Sequence, residues 1–459
     1  MTIRFDDSLP ALASVIETGF GNAALANGVA VRDITGRLAF VLPTEFEADL
    51  VERVGKLLQH ALGPYARSDR LLITSTDFGA ESLLKAPSAL LVKVNDSNIR
   101  LIDRRLVGAD WLRAPANKAP PPPRFVFASL KGGVGRSTAL AITAAHLASA
   151  GKRVLAIDLD MEAPGLGSLL LDKGTLPEFG LIDALVENGL GPLDEAFLAD
   201  LVGPSDLADR HGRIDVIPAF GQRSVKHPGD VLSKIARAYT EDIRPDGSLA
   251  SILDQVAELV NHFSDPTRYD AILVDARAGL HETTATAILG LGAEVFLFGL
   301  DEPQTFQGYA ALLGHLDRFA KPATDEVPEW LGRLSMIQGK APADASAREA
   351  FADKCKQLFI DSGLETSTPL RAIEPRPAAG SFSNVPWDDD QSDEDVLPKE
   401  LRVFREPVAI LNNEQFMQFD PRQKRKLLST DVYWSSYGEF LNRVSESFPD
   451  LKRADHAAN

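Results

Sequence analysis

At 459 residues, with 44% hydrophobic and 25% charged side chains, the chain has the make-up of a folded globular protein and the length for roughly two to four domains. Its formal net charge of −17 argues against a broad nucleic-acid or anionic-membrane surface, because both depend on clustered lysine and arginine. The single cysteine, Cys355, excludes an intrachain disulfide framework and a cysteine-built metal site. No apolar run approaches the ~20 residues that span a bilayer, and the opening MTIRFDDSL lacks the charged-then-apolar shape of a signal peptide. A cytoplasmic protein without membrane attachment is expected.

In chain order, residues 29–42 (VAVRDITGRLAFVL) read as two strands about a turn at Thr35-Gly36, and residues 45–62 repeat apolar side chains at helical spacing. Strands over 70–75 (RLLITS), 89–95 (ALLVKVN) and 98–106 (NIRLIDRRL) complete a small α/β domain, residues 1–117, of no recognised family. The proline run in 118–124 (KAPPPPR) predicts a stiff extended linker. From 125 to 377, apolar strand-like runs at 125–129, 153–158, 214–218, 271–275, 294–298 and 333–337 alternate with helical runs at 137–150, 249–263 and 304–320. That alternation predicts an α/β fold with a doubly wound, mostly parallel sheet, whose ligands bind at the carboxyl ends of the strands. Residues 378–400, which include WDDDQSDED, read as an acidic mobile loop. Residues 401–459 read as a helical extension packed on the preceding domain, and the basic run 422–426 (RQKRK) as a solvated helix face. Cys355 and His146 both read as helix residues without a chemical role.

The chemistry concentrates at residues 130–138, LKGGVGRST. A general phosphate loop reads G-x-x-x-x-G-K-[ST]: glycines let backbone N–H groups wrap a phosphate, and the lysine reaches its outer oxygens. Here Leu130 stands for the first glycine and Arg136 for the lysine. The strand before the loop and the small-residue helix after it supply the frame such a loop needs, with phosphate resting on unpaired N–H groups at the positive end of the helix dipole. Two further segments end apolar strands in carboxylates: 153–165 (RVLAIDLDMEAPG) and 269–279 (YDAILVDARAG). A hard cation that keeps several waters is served by carboxylates so placed.

The Lys-Gly-Gly-x-Gly start, followed in order by these two segments, resembles the deviant Walker A group of dimerising ATPases that includes ParA and MinD. The resemblance runs over residues 124–340. It implies ATP and Mg2+ as cofactors, with Gly132, Gly133, Val134, Gly135, Arg136, Ser137 and Thr138 around the phosphates, and Ser137, Asp158 and Asp275 on the metal side. It makes Asp160 the residue that positions the attacking water, and Lys131 the signature lysine that reaches the partner's nucleotide in an ATP-dependent homodimer, so these two carry catalysis. Gly279 would offer its N–H near the γ-phosphate, and Gln338 or the turn at 373–377 (IEPRP) would edge the adenine.

Arg136 departs even from this group. A guanidinium can hold phosphate bidentately, but it is longer and planar and shifts the γ-phosphate from in-line geometry. Nucleotide binding is therefore expected, with hydrolysis slow or lost. Members of the superfamily that hold metal clusters need several cysteines, its tyrosine kinases need a tyrosine-rich tail where the six tyrosines here are dispersed, and a MinD-like anchor is missing from LKRADHAAN at 451–459. What is left is an ATP-dependent dimerisation switch that engages an unidentified protein partner through its N-terminal domain. Two alternatives stand beside it: a ParA-like ATPase moving DNA or cargo, with DNA disfavoured by the net charge, and an ATP-locked scaffold or regulatory subunit of a bacterial multi-gene system such as phage defence.

Overall fold

The computed structural model describes residues 3–94, 97–105, 107–208, 211–244, 248–320, 328–364 and 404–451. The chain is α/β, and its described residues hold three sheets: two large ones of different character and the small antiparallel pair Asp242–Ile243 with Leu249–Ala250. The larger has eight strands in the order Val408–Leu411, Leu334–Ala341, Glu294–Gly299, Arg124–Ser129, Ala271–Ala278, Arg153–Asp158, Arg213–Ile217 and Gly203–Ser205. All neighbours pair parallel except the last, an antiparallel edge strand.

Both faces of this sheet are covered, which explains why its strands are apolar without alternation. In Arg124–Ser129, Phe125 and Phe127 face the helix Arg136–Ser149, while Val126 and Ala128 face the opposite layer that includes Ile252–Phe263 and Pro303–Leu316. The helix Thr430–Ser445 joins the first of these layers. Its Phe440 ring lies 6.0 Å from Phe127, 5.0 Å from Phe296 and 5.8 Å from Phe298, and the Tyr433 hydroxyl meets His146 Nδ1 at 3.1 Å. The described part of the expected helical extension, 404–451, also supplies the strand Val408–Leu411, so it extends the large sheet as well as covering it. Cys355 is fully buried in the helix Ala345–Asp361, and burial pushes its thiol pKa up.

The smaller sheet orders its strands as Leu72–Ile73, Leu38–Val41, Val29–Arg32, Ser97–Asp103 and Leu90–Val94. The hairpin expected about Thr35-Gly36 is present, with Asp33 Oδ1 accepting from the N–H groups of Thr35 and Arg37 at 2.9 Å each. A helix over Phe5–Phe20 was not anticipated. Pro10 removes one of its internal hydrogen bonds, yet Leu9, Leu12 and Ile16 bury against Val54, Leu58 and Leu62 of the helix Ala48–Leu62. The segment leading to the large sheet is fastened rather than merely extended: Asp110 Oδ2 accepts from Leu253 N at 3.0 Å, Arg113 forks onto Asp254, and Ala116 and Ala119 donate to the carbonyls of Leu289 and Gly292.

The acidic stretch 378–400, the turn 373–377 and residues 452–459 lie outside the described residues. Among the described residues, no helix is long and apolar enough to cross a membrane.

Candidate nucleotide site

Strand Arg124–Ser129 ends in the middle of the sheet, and the chain turns there through residues 130–135 into the helix Arg136–Ser149. Gly133 (φ +78°) and Gly135 (φ +95°) take left-handed backbone that L side chains rarely adopt. Around Gly132, Gly133 and Gly135 an added Cβ would meet nothing within 4 Å, so the loop rims open space. The helix begins at Arg136 with Gly135 as its cap and no side chain satisfying its first N–H groups, the arrangement that accepts an anion. Leu130 has a packing reason: its Cδ1 lies 2.5 Å from where a Cβ on Gly308 would sit, so that glycine and this leucine fit each other across the helix Pro303–Leu316.

Three carboxylates gather on the neighbouring strands: Asp158 ends Arg153–Asp158, Asp160 follows two residues later, and Asp275, expected to end its strand, stands inside Ala271–Ala278 in register with Asp158. Asp158 is fully buried; its Oδ1 accepts from Asp160 N at 3.0 Å and its Oδ2 from Gly165 N at 3.2 Å and Leu166 N at 3.0 Å. Desolvation, helped by the nearby Asp275 charge, outweighs those amides and pushes its pKa up to about 7. Asp160 is also moved up, chiefly by burial. Asp275 takes the Ser137 hydroxyl on Oδ2 at 2.6 Å and Arg136 Nε on Oδ1 at 2.5 Å. The same guanidinium donates through Nη1 to Ser129 Oγ at 3.0 Å and through Nη2 to Asp160 Oδ2 at 3.4 Å, with one-tenth of the Arg136 side chain exposed. Its own pKa is raised: burial opposes the charge, but Asp275 and Asp160 more than offset that.

Residues 125–296 match the family model described as the CobQ/CobB/MinD/ParA nucleotide binding domain. This segment is a ParA/MinD-type P-loop nucleotide-binding domain. Similar solved structures include a ParA family ATPase from Chlorobium tepidum TLS, at 22% identity over 52% of this chain and 81% of that one with a TM-score of 0.35. The cell division ATPase MinD of Pyrococcus furiosus shares 19% identity over 53% of this chain and 81% of its own, TM-score 0.33. Cobyrinic acid a,c-diamide synthase of Mycobacterium smegmatis, solved with ADP and magnesium, shares 17% over 51% and 82%, TM-score 0.35. No curated protein matches the chain.

In the ParA/MinD-type domain, Asp160 and Asp275 meet Arg136, Ser137 meets Asp275, and Asp158 lies beside Asp160. Lys131 is turned elsewhere, its Nζ 2.8 Å from Glu302 Oε2, with nearly half of each side chain exposed. Gly279 takes left-handed backbone (φ +92°), and its N–H is donated to the Ser129 carbonyl at 2.9 Å. Gln338 is buried in the strand next to the sheet edge, flanked in register by Gly299 and Ala409. It does not line the groove beside the loop, which is formed instead by Val134, Gly135 and Thr138 with Lys340, Asn412, Asn413, Phe416 and Met417. Lys340 holds a left-handed φ of +49° there, a conformation costly for a side-chain-bearing residue and frequent where a ligand is held. Glu302, Lys340 and the Asn412-Asn413 pair were missed from sequence. The one available signal was the polar pair directly after the apolar run VAIL at 408–411, a strand end of the ligand-binding type.

The basic run 422–426 is partly neutralised: Arg422 faces Asp172 and Asp206 at 3.7 and 3.9 Å, and Arg425 is paired with Asp206. A separate cavity of about 190 Å3 lies away from the loop, lined by Leu185, Leu193, Leu259 and His262, and has no contact with the carboxylates.

Proposed function

We propose that this chain is an ATP- and Mg2+-binding dimerisation switch whose nucleotide state is passed to a protein partner through the N-terminal region. The observation that carries the reading is the open loop 132–135 at a helix N-terminus, set beside Ser137 and three clustered carboxylates. The N–H groups of 132–138 would wrap the phosphates, with Arg136 turning onto them. The Ser137 hydroxyl and Asp275, 2.6 Å apart, are hard oxygen donors that fit a Mg2+ ion, and Asp158 stands behind them; the ion would supply charge neutralisation at the phosphates. Lys131 and Glu302 form an exposed pair of the kind worth ~0–1 kcal/mol, so Lys131 exchanges Glu302 for a partner subunit's nucleotide at small cost. Asp160 would hold a water once Arg136 lets go of it. The groove at Lys340 and Asn412–Asn413, rather than Gln338, suits a planar base.

A connection to the N-terminal region is supported by Glu282, which follows Gly279 closely and accepts a hydrogen bond from Gly108 N. The scaffold reading is supported by one specific contact, Arg136 to Asp160, which would keep Asp160 from a water and slow turnover. Partition of DNA is less well supported, because Arg422 and Arg425 face aspartates. Sedimentation with and without ATP and Mg2+ tests the switch: a shift from monomer to dimer in wild type, lost in Lys131→Ala, is expected, and a wild type that stays monomeric with ATP bound overturns it.

A further inference from the structure

Every carboxylate oxygen of the site already has a partner. Asp158 is held by three backbone amides, Asp160 by Ala163 N on Oδ1 at 3.1 Å and Arg136 on Oδ2, and Asp275 by Arg136 and Ser137. Among the described residues, no three Asp, Glu, His or Cys side chains stand ready to take a metal ion. One guanidinium, one-tenth exposed, counters the clustered charges. An ammonium carries its three donors on one nitrogen, whereas the arginine fork reaches Asp275, Ser129 and Asp160 with three different nitrogens spread over a plane.

We infer that Arg136 is the resident counter-ion of this site and keeps divalent cations off Asp275 and Asp160 until it turns to a phosphate. A second cation entering beside it meets a like charge in a pocket with little solvent to screen them. Arg136 thereby makes metal entry conditional on nucleotide entry, and the exchange of lysine for arginine acquires a role besides phosphate contact. The inference rests on the proposed nucleotide site only for the identity of the metal side.

The test omits nucleotide. Mn2+ is titrated into the full chain and free Mn2+ is followed by electron paramagnetic resonance, for wild type, Arg136→Met and Arg136→Lys. Arg136→Met is expected to bind Mn2+ at least about tenfold more tightly than wild type, with Arg136→Lys between them. The Arg136→Met protein should also melt higher in Mg2+ than in EDTA, while wild type melts alike in both. Equal Mn2+ affinity in all three proteins overturns the inference, as does a wild type stabilised by Mg2+ as much as the variants. Because Arg136→Lys keeps a cation in place, a misfolded Arg136→Met protein leaves the comparison intact. Failure here would not bear on ATP binding, which a separate titration of wild type reads.

Discussion

Two cations flank the same loop and are treated in opposite ways. Lys131 reaches into solvent and pairs with Glu302, nearly half of each side chain being exposed, while Arg136 is nine-tenths covered and tied to Asp275, Ser129 and Asp160. An exposed pair is screened and exchanges partners at little cost, whereas a buried one cannot lose a member without leaving an uncompensated charge. The difference separates a group fit for reaching another molecule from one that sets the charge of the site itself.

Breaking the buried side should give the largest effect. Arg136→Ala is expected to lower unfolding stability in urea by about 3–5 kcal/mol; a loss under ~1 kcal/mol would mean that the guanidinium does not compensate the carboxylates. Second comes pH. The Asp158 carboxyl, at about 7 in the folded chain against 3.8 ordinarily, binds its proton more tightly folded than unfolded. Stability of the nucleotide-free protein should therefore rise as pH falls from about 7 toward 4, and Asp160, also shifted up, acts in the same direction. Asp158→Asn should flatten that part of the profile, and an unchanged profile would contradict the assignment. Third, Gly135→Ala should cost about 1–2 kcal/mol through its left-handed backbone alone, read from the shift in urea midpoint. Smallest is Lys131→Ala, expected to change stability by no more than about 1 kcal/mol while removing ATP-dependent dimerisation. A large stability loss there would put Lys131 in the same class as Arg136.

The large parallel sheet was legible because burial on both faces forces near-continuous apolar runs, and 124–129, 153–158 and 271–278 are of that kind. The loop was legible because only glycine takes the backbone at 133 and 135 readily. Less could be read where tertiary contacts overrode local signals. Pro10 masked the helix Phe5–Phe20, and Gly203–Ser205 carries no strand propensity of its own and pairs only as an edge. Val408–Leu411 is four residues long and gains its place from Ile337 and Gln338, far back in the sequence. In the site, the pairing of Lys131 with Glu302 spans 171 positions, and whether the fork at Arg136 would face a phosphate or the carboxylates depended on strand register that composition does not encode. Gln338 lies outside the groove beside the loop, and a strand covered on both faces gives no period-two cue to which way its residues face.

Titration of ATP with Mg2+ into wild type and Gly132→Asp tests the central claim most directly. A Cβ at 132 would meet nothing within 4 Å, so the variant should fold as wild type does, yet its carboxylate would stand where phosphate is expected. The account predicts one ATP bound per wild-type chain and at least about a hundredfold weaker binding in the variant, a penalty of ~3 kcal/mol for like charges in the phosphate cradle. Equal affinity in the two proteins, or no binding to wild type, would contradict it.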